Sequence, residues 1–126
     1  MPAYDGVLFD PPAPTARVVL RDPDTGIAVA DVPMLIDSGA DVTLVPRMSV
    51  ELLGVSINPS EGYELKGFND ITSVAQVVLL DLVFLKRAFK ERFLLLDQEW
   101  GILGRDVFNH LVVLLDGPRV TWHEHQ

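Results

Sequence analysis

Leu35-Ile36-Asp37-Ser38-Gly39-Ala40-Asp41-Val42-Thr43-Leu44-Val45 is the stretch on which the fold of this 126-residue chain turns. Pro33-Met34-Leu35-Ile36 reads as a buried strand entering Asp37, and Thr43-Leu44-Val45 reads as a second strand leaving it. Between them a carboxylate is carried on a tight Ser-Gly turn into an apolar interior. A carboxylate in such a place needs a partner or a function. The chain contains its own contrast in Asp24-Thr25-Gly26, which has similar turn chemistry but follows the polar, proline-broken Arg21-Asp22-Pro23. That copy reads as a hairpin turn between Val18-Val19-Leu20 and Ile27-Ala28-Val29. The apolar approach, not the tripeptide, sets Asp37 apart.

The chemistry open to such a carboxylate is hydrolysis by activated water, which needs a base to take a proton from water and an acid to protonate the carbonyl or the leaving amine. Two aspartates sharing one proton supply both, because like charges about 3 Å apart cannot both ionise. Only one turn of this kind occurs here, so it encodes half of such a site. A two-fold homodimer whose axis passes between two copies of Asp37 supplies the other half, since an isologous interface brings a residue close to its own symmetry mate.

Further along the chain stands Gly101-Ile102-Leu103-Gly104-Arg105-Asp106. The two stretches in this order resemble the retropepsin-like aspartic proteases, over about residues 15–122. The resemblance implies a mainly β fold: a closed acid-protease β-barrel with a ψ-loop, in which Ile102, Leu103 and Gly104 lie beside the catalytic strand, and one or two short helices. It implies an aspartic endopeptidase that cleaves extended peptide or protein substrates, without cofactor or metal, as a homodimer. Asp37 is then the catalytic carboxylate of each protomer. Ser38 contributes its hydroxyl to a grip between the two active-site loops, and Gly39 lets backbones approach. Serine in place of the commoner threonine frees χ1, so the grip is less rigid. Asp41 and Arg105 match a structural ion pair bracing the loop. Ala40 cannot donate a hydrogen bond to the carboxylate as a hydroxyl there could, which places the expected optimum at mildly acidic pH. The other reading of the same residues is a non-catalytic retropepsin-fold module for binding or assembly, with Asp37 kept as a structural carboxylate.

Composition bounds the alternatives. A hydrophobic content of 48% suits one core and one domain. The formal net charge of −8 argues against a nucleic-acid partner, which calls for clustered Lys and Arg. With no cysteine there is no disulfide framework, thiolate nucleophile or Cys-based zinc site. His123 and His125 read as a solvated tail, and His110 as flanking a short helix. The first residues lack a basic region followed by an apolar one, and the longest apolar run, residues 77–85, contains Asp81 and is too short to span a bilayer. The expectation is a cytoplasmic protein with no membrane partner.

Residues 1–14 read as an amino-terminal extension, with Val7-Leu8-Phe9 as a short accessory strand before a linker built by Pro11-Pro12-Ala13-Pro14; residues 15–126 read as the protease domain. Pro46 opens a helix through Met48, Val50, Leu52 and Leu53 that Gly54 stops. The strand-like runs Tyr63-Glu64-Leu65-Lys66-Gly67 and Ile71-Thr72-Ser73-Val74-Ala75-Gln76 flank the turn-rich Phe68-Asn69-Asp70, where the resemblance places a flap that closes over substrate, with Gly67, Phe68 and Asn69 as its substrate-binding residues. Val77-Val78-Leu79-Leu80 with Leu82-Val83-Phe84-Leu85, and Phe89 with Phe93-Leu94-Leu95-Leu96, read as paired core strands around the basic turn Lys86-Arg87. Residues 105–111 have the length of a short helix, and a closing hairpin follows around Asp116-Gly117-Pro118. Trp122 lies in that hairpin, either at a dimer sheet or packed internally.

Overall fold

The computed structural model describes residues 3–55, 57–66 and 72–125. In chain order the strands and helices are β1 (Tyr4–Asp5), β2 (Ala13–Arg21), β3 (Ala28–Ile36), β4 (Leu44–Pro46), α1 (Arg47–Leu53), β5 (Asn58–Lys66), β6 (Thr72–Phe84), β7 (Arg87–Leu96), β8 (Gly101–Leu103), α2 (Arg105–Phe108), β9 (Val113–Asp116) and β10 (Thr121–Glu124). The large sheet runs β1-β2-β3-β8-β4-β7-β6-β5, and a further pairing of β2 with β6 closes six of these strands into a barrel. The mainly β barrel with two short helices is the architecture the motifs implied.

Alternation of side chains builds the interior. Ala16, Val18 and Leu20 on β2, Val32 and Met34 on β3, and Val78, Leu80, Leu82 and Phe84 on β6 all point inward at every second position. They meet Phe93 and Leu95 from β7, Leu103 from β8 and Val107 from α2. The charge that interrupts the β6 run, Asp81, stands opposite Arg21 on β2 and accepts from its guanidinium at 3.1 Å. A cross-strand partner thus neutralises a nearly buried carboxylate.

Local chemistry explains the connections. The β2–β3 turn is tied by Asp22, whose carboxylate accepts from the Asp24 amide (2.9 Å) and the Thr25 hydroxyl (3.1 Å), while Gly26 takes φ 77°. This is the hairpin expected at Asp24-Thr25-Gly26. Helix α1 starts after Pro46, and Gly54 ends it in the left-handed region at φ 71°, donating to Glu51 O. Between β6 and β7, Leu85 and Lys86 both have positive φ, and Phe84 faces Arg87. This two-residue connection has the twist that suits a tight hairpin; Arg87 belongs to β7, not to the turn.

At the amino end the structure departs from expectation. The accessory strand is Tyr4–Asp5, not Val7-Leu8-Phe9, which lies in a bent stretch. Strand β1 exists because it has partners on both sides: Tyr4 faces Pro14 on β2, its amide donates to Val120 O (2.9 Å), and Ala3 bridges to Thr121. The Asp5 carboxylate turns the chain away, accepting from the amides of Val7 (2.8 Å) and Leu8 (2.9 Å). Those bonds, from Leu8 first and then Val7, hold its pKa below the ordinary carboxylate value, against a small desolvation and with help from Arg17. Of the proline cluster, Ala13 and Pro14 sit within β2, while Pro11 and Pro12 lie in the stretch that joins β1 to it. At the other end, Trp122 is buried at 2% exposure and donates Nε1–H to Thr15 O at 2.7 Å, so it packs internally.

Candidate active site

Asp37 follows the last residue of β3, at one rim of the barrel. Its position comes from three strands that cross there. β8 runs parallel to β3, with Met34 beside Gly101, Leu35 beside Ile102 and Ile36 beside Leu103, and pairs antiparallel to β4 through Leu44 and Ile102. The strand carrying Ile102 and Leu103 therefore threads between the two strands that flank the Asp37 turn, which is the ψ arrangement.

Glycine makes that threading possible at two points where backbones approach closely. A Cβ at Gly101 would collide with Leu44 O and lie 2.5 Å from Met34 Sδ. One at Gly104 would stand 2.6 Å from Val42 O and 2.9 Å from Ala40 O. Both glycines are required by close approach, not by an unusual φ.

Backbone hydrogen bonds then fix the loop. The Asp37 amide donates to Leu103 O (3.1 Å), the Ala40 amide donates to Asp37 O (3.2 Å), and the Arg105 amide donates to Ala40 O (2.8 Å). The Asp37 carboxylate accepts the Gly39 amide at Oδ1, 2.9 Å away. Asp37 is half-buried and Ser38 and Gly39 are exposed, so the carboxylate lies at the barrel rim and is not sealed inside as its apolar approach implied. The Ser38 hydroxyl has no partner among the described residues.

The brace expected from Asp41 and Arg105 is not there. Among the described residues these two form no ion pair, and both are exposed. The next residue does the bracing. Asp106 accepts the Thr43 hydroxyl at Oδ1 (2.6 Å) and the Thr43 amide at Oδ2 (3.0 Å), while Thr43 Oγ1 accepts the Gly104 amide (2.9 Å). Thr43 is fully buried, so its hydroxyl needs both a donor and an acceptor, and Asp106 sits where α2 begins, within reach. Sequence held a signal for this pairing: a threonine between Val42 and Leu44 in an apolar strand must find a polar partner.

An apolar cavity of about 310 Å³ adjoins the loop, lined by Ile36, Ser38, Phe108, Leu111, Val113 and Leu115. It joins the Asp37 turn to the carboxyl-terminal hairpin. The flap residues Gly67, Phe68 and Asn69 lie outside the described residues; β5 and β6 on either side pair as far as Lys66 opposite Thr72. Among the described residues no group of three or more His, Asp or Glu side chains could hold a metal ion, and no helix is long and apolar enough to cross a membrane.

The EIAV protease complexed with the inhibitor HBY-793 is similar in structure, with a TM-score of 0.51 and 21% identity over 78% of this chain and 86% of that one. A retropepsin-like aspartic protease from Rickettsia conorii aligns with a TM-score of 0.48 and 17% identity, over 82% of this chain and 86% of that one. No protein-family model and no curated protein matches the sequence. The chain has a retropepsin-like fold, and its resemblance to retropepsin-like aspartic proteases is one of structure.

Proposed function

We propose that this chain is an aspartic endopeptidase, active as a homodimer in which two copies of Asp37 share one proton. The supporting observation is the placement of a single carboxylate on a turn clamped by β3, β8 and β4, half-exposed at the barrel rim and next to an open apolar cavity. In the dimer one Asp37 is ionised and takes a proton from water as it attacks the peptide carbonyl. The other is protonated and gives its proton to the carbonyl oxygen; the leaving amine is protonated as the C–N bond breaks. Gly39 and the exposed Ser38 lie where the partner's loop must come, and the Ser38 hydroxyl makes the grip between loops.

The carboxyl-terminal hairpin is the surface we assign to the second copy. Val112, Leu114, Leu115 and Val120 expose large apolar side chains there, and β9 pairs on one edge only among the described residues. An open strand edge is a template for pairing with another chain, and a two-fold axis perpendicular to β9 would make that pairing antiparallel and self-complementary. Leu115 also lines the cavity that contains Ser38, so dimer contacts and site assembly are continuous. The flap assigned to Gly67, Phe68 and Asn69 belongs to this proposal and closes over an extended substrate.

One observation favours a non-catalytic role: the Asp37 carboxylate already serves its own loop by accepting the Gly39 amide. Asp37→Asn separates the readings, since asparagine can still accept that bond through its carbonyl oxygen. Wild type is expected to cleave a mixed peptide library and Asp37→Asn to leave it intact with an unchanged melting temperature. Equal cleavage by both proteins would rule out the protease assignment.

A further inference from the structure

A cavity of about 580 Å³ lies apart from the Asp37 turn, and the endopeptidase reading gives it no role. Its walls come from β2, the β6–β7 turn, β10 and the stretch from Ala3 to Val7. The apolar surface includes Phe84 and Trp122, both buried with ring centroids 5.8 Å apart, and Leu85 next to them. Val7, which also lines the cavity, is 97% exposed, so nothing in the fold covers its side chain. Small-molecule sites take this form: a cleft of about 300–1,000 Å³, largely apolar, with a few polar groups that fix orientation.

The polar groups here are unequal. Alternation along β2 turns Ala16 and Val18 into the core and leaves Thr15 and Arg17 on the opposite side. The Thr15 carbonyl already accepts the Trp122 indole, and the Thr15 hydroxyl reaches Ala3 O at 3.5 Å. Arg17 has far more to give. Its guanidinium carries several donors, yet among the described residues it makes one long bond, from Nη1 to Asp31 O at 3.4 Å, and no ion pair. Asp5, on the same cavity, does not satisfy it. That carboxylate is committed to its own turn through the Leu8 and Val7 amides, both at Oδ1.

We propose that this cavity binds a small apolar carboxylic acid, with its carboxylate on the Arg17 guanidinium and its apolar body over Phe84, Leu85 and Trp122. A planar guanidinium meets a carboxylate through two parallel N–H···O bonds. The charges also match one to one. A phosphate dianion would bring a second negative charge toward Asp5, and the described lining residues hold no cation besides Arg17 to offset it. Two sources offer the required chemistry, the free carboxyl end of a short apolar peptide and a fatty acid. Because no residue of the Asp37 turn lines the cavity, this assignment stands or falls independently of the endopeptidase reading.

Proton–nitrogen correlation spectra of the full chain, titrated separately with octanoate and with N-acetyl-Leu-Phe, test this. The Trp122 indole N–H, bonded to Thr15 O in the cavity wall, is the reporter, and the indole of Trp100, which does not line the cavity, is the internal reference. At least one acid is expected to shift the Trp122 signal saturably, with a dissociation constant on the order of 1 mM or tighter. Octanol and the amide of N-acetyl-Leu-Phe are expected to bind about ten-fold more weakly or worse. Arg17→Gln, a change at an exposed side chain, is expected to weaken the acid by about ten-fold or more while the rest of the spectrum keeps its pattern. Saturation by the peptide alone assigns the site to a peptide carboxyl end, by octanoate alone to a fatty acid, and by both to the chemistry they share. The proposal is overturned if neither acid moves the Trp122 signal saturably, if the neutral counterparts bind as tightly as the acids, or if Arg17→Gln binds as wild type does.

Discussion

Replacing Asp106 by alanine takes away both acceptors of Thr43, a residue with no exposed surface, and so strips the brace from the loop that carries Asp37. A hydrogen bond to a charged group contributes about 1.5–3 kcal/mol, and part of the hydroxyl's loss is recovered by rotation, so the expected destabilisation is about 2–4 kcal/mol. For a domain of this size that corresponds to a fall in melting temperature on the order of 10 °C. Asp106→Asn keeps one acceptor and turns an amide N–H toward the Thr43 donors, so its cost is intermediate, about 1–2 kcal/mol. Arg105→Ala, at an exposed side chain, is expected to stay within about 0.5 kcal/mol. Urea unfolding followed by tryptophan fluorescence reads all three, and a double-mutant cycle of Asp106→Ala with Thr43→Val is expected to show coupling above about 1 kcal/mol. If Arg105→Ala costs as much as Asp106→Ala, or the cycle shows no coupling, the assignment of the brace to Thr43 and Asp106 is refuted.

Other perturbations are expected to separate the parts of the account. Gly104→Ala drives a Cβ into Val42 O and Ala40 O and is expected to lower soluble yield sharply or cost about 3 kcal/mol or more, whereas Gly117→Ala, with nothing within 4 Å, stays within about 0.5 kcal/mol by denaturant titration. Leu115→Asp is expected to leave the protomer folded by circular dichroism but shift sedimentation from dimer to monomer and abolish peptide cleavage. Trp122→Phe loses the bond to Thr15 O and is expected to destabilise by about 1–3 kcal/mol in urea. The pH–rate profile is expected to peak at mildly acidic pH, since Ala40 offers the Asp37 carboxylate no side-chain donor; a rate that climbs steadily down to about pH 2 would contradict it. Asp5 is held below the ordinary carboxylate pKa, so its contribution to stability is present above that value and lost as pH falls through its folded pKa. Asp5→Asn is expected to remove that acid-side loss from a melting-temperature profile.

Legibility in the sequence followed the range of the interactions involved. Helix α1 lies between Pro46 and Gly54 because helix start and stop signals act within a turn. The β2–β3 hairpin is closed by Asp22, Thr25 and Gly26 within a few residues of one another. The ψ crossing was readable despite its long separation because Gly101 and Gly104 are demanded by backbone approach, a constraint that leaves glycine in the sequence. What escaped depended on partners chosen in space. Val7-Leu8-Phe9 has the composition of a strand, yet Tyr4–Asp5 became one because Pro14, Val120 and Thr121 lie beside it. Asp41 and Arg105 have opposite charges at suggestive positions, but exposed charges gain little from pairing, while the buried Thr43 donors compel an acceptor. The internal place of Trp122 was set by Thr15 O, over a hundred residues away in the chain.

Mixing active and inactive protomers tests the shared site most directly. Wild type co-refolded with an equal amount of Asp37→Asn forms wild-type pairs in about one quarter of its dimers if assembly is random and isologous. Peptide cleavage per wild-type chain is then expected to fall to about half, and further as the inactive chain is raised. Cleavage per wild-type chain that does not change at any mixing ratio would show that each chain works alone, and would contradict a catalytic centre made from two copies of Asp37.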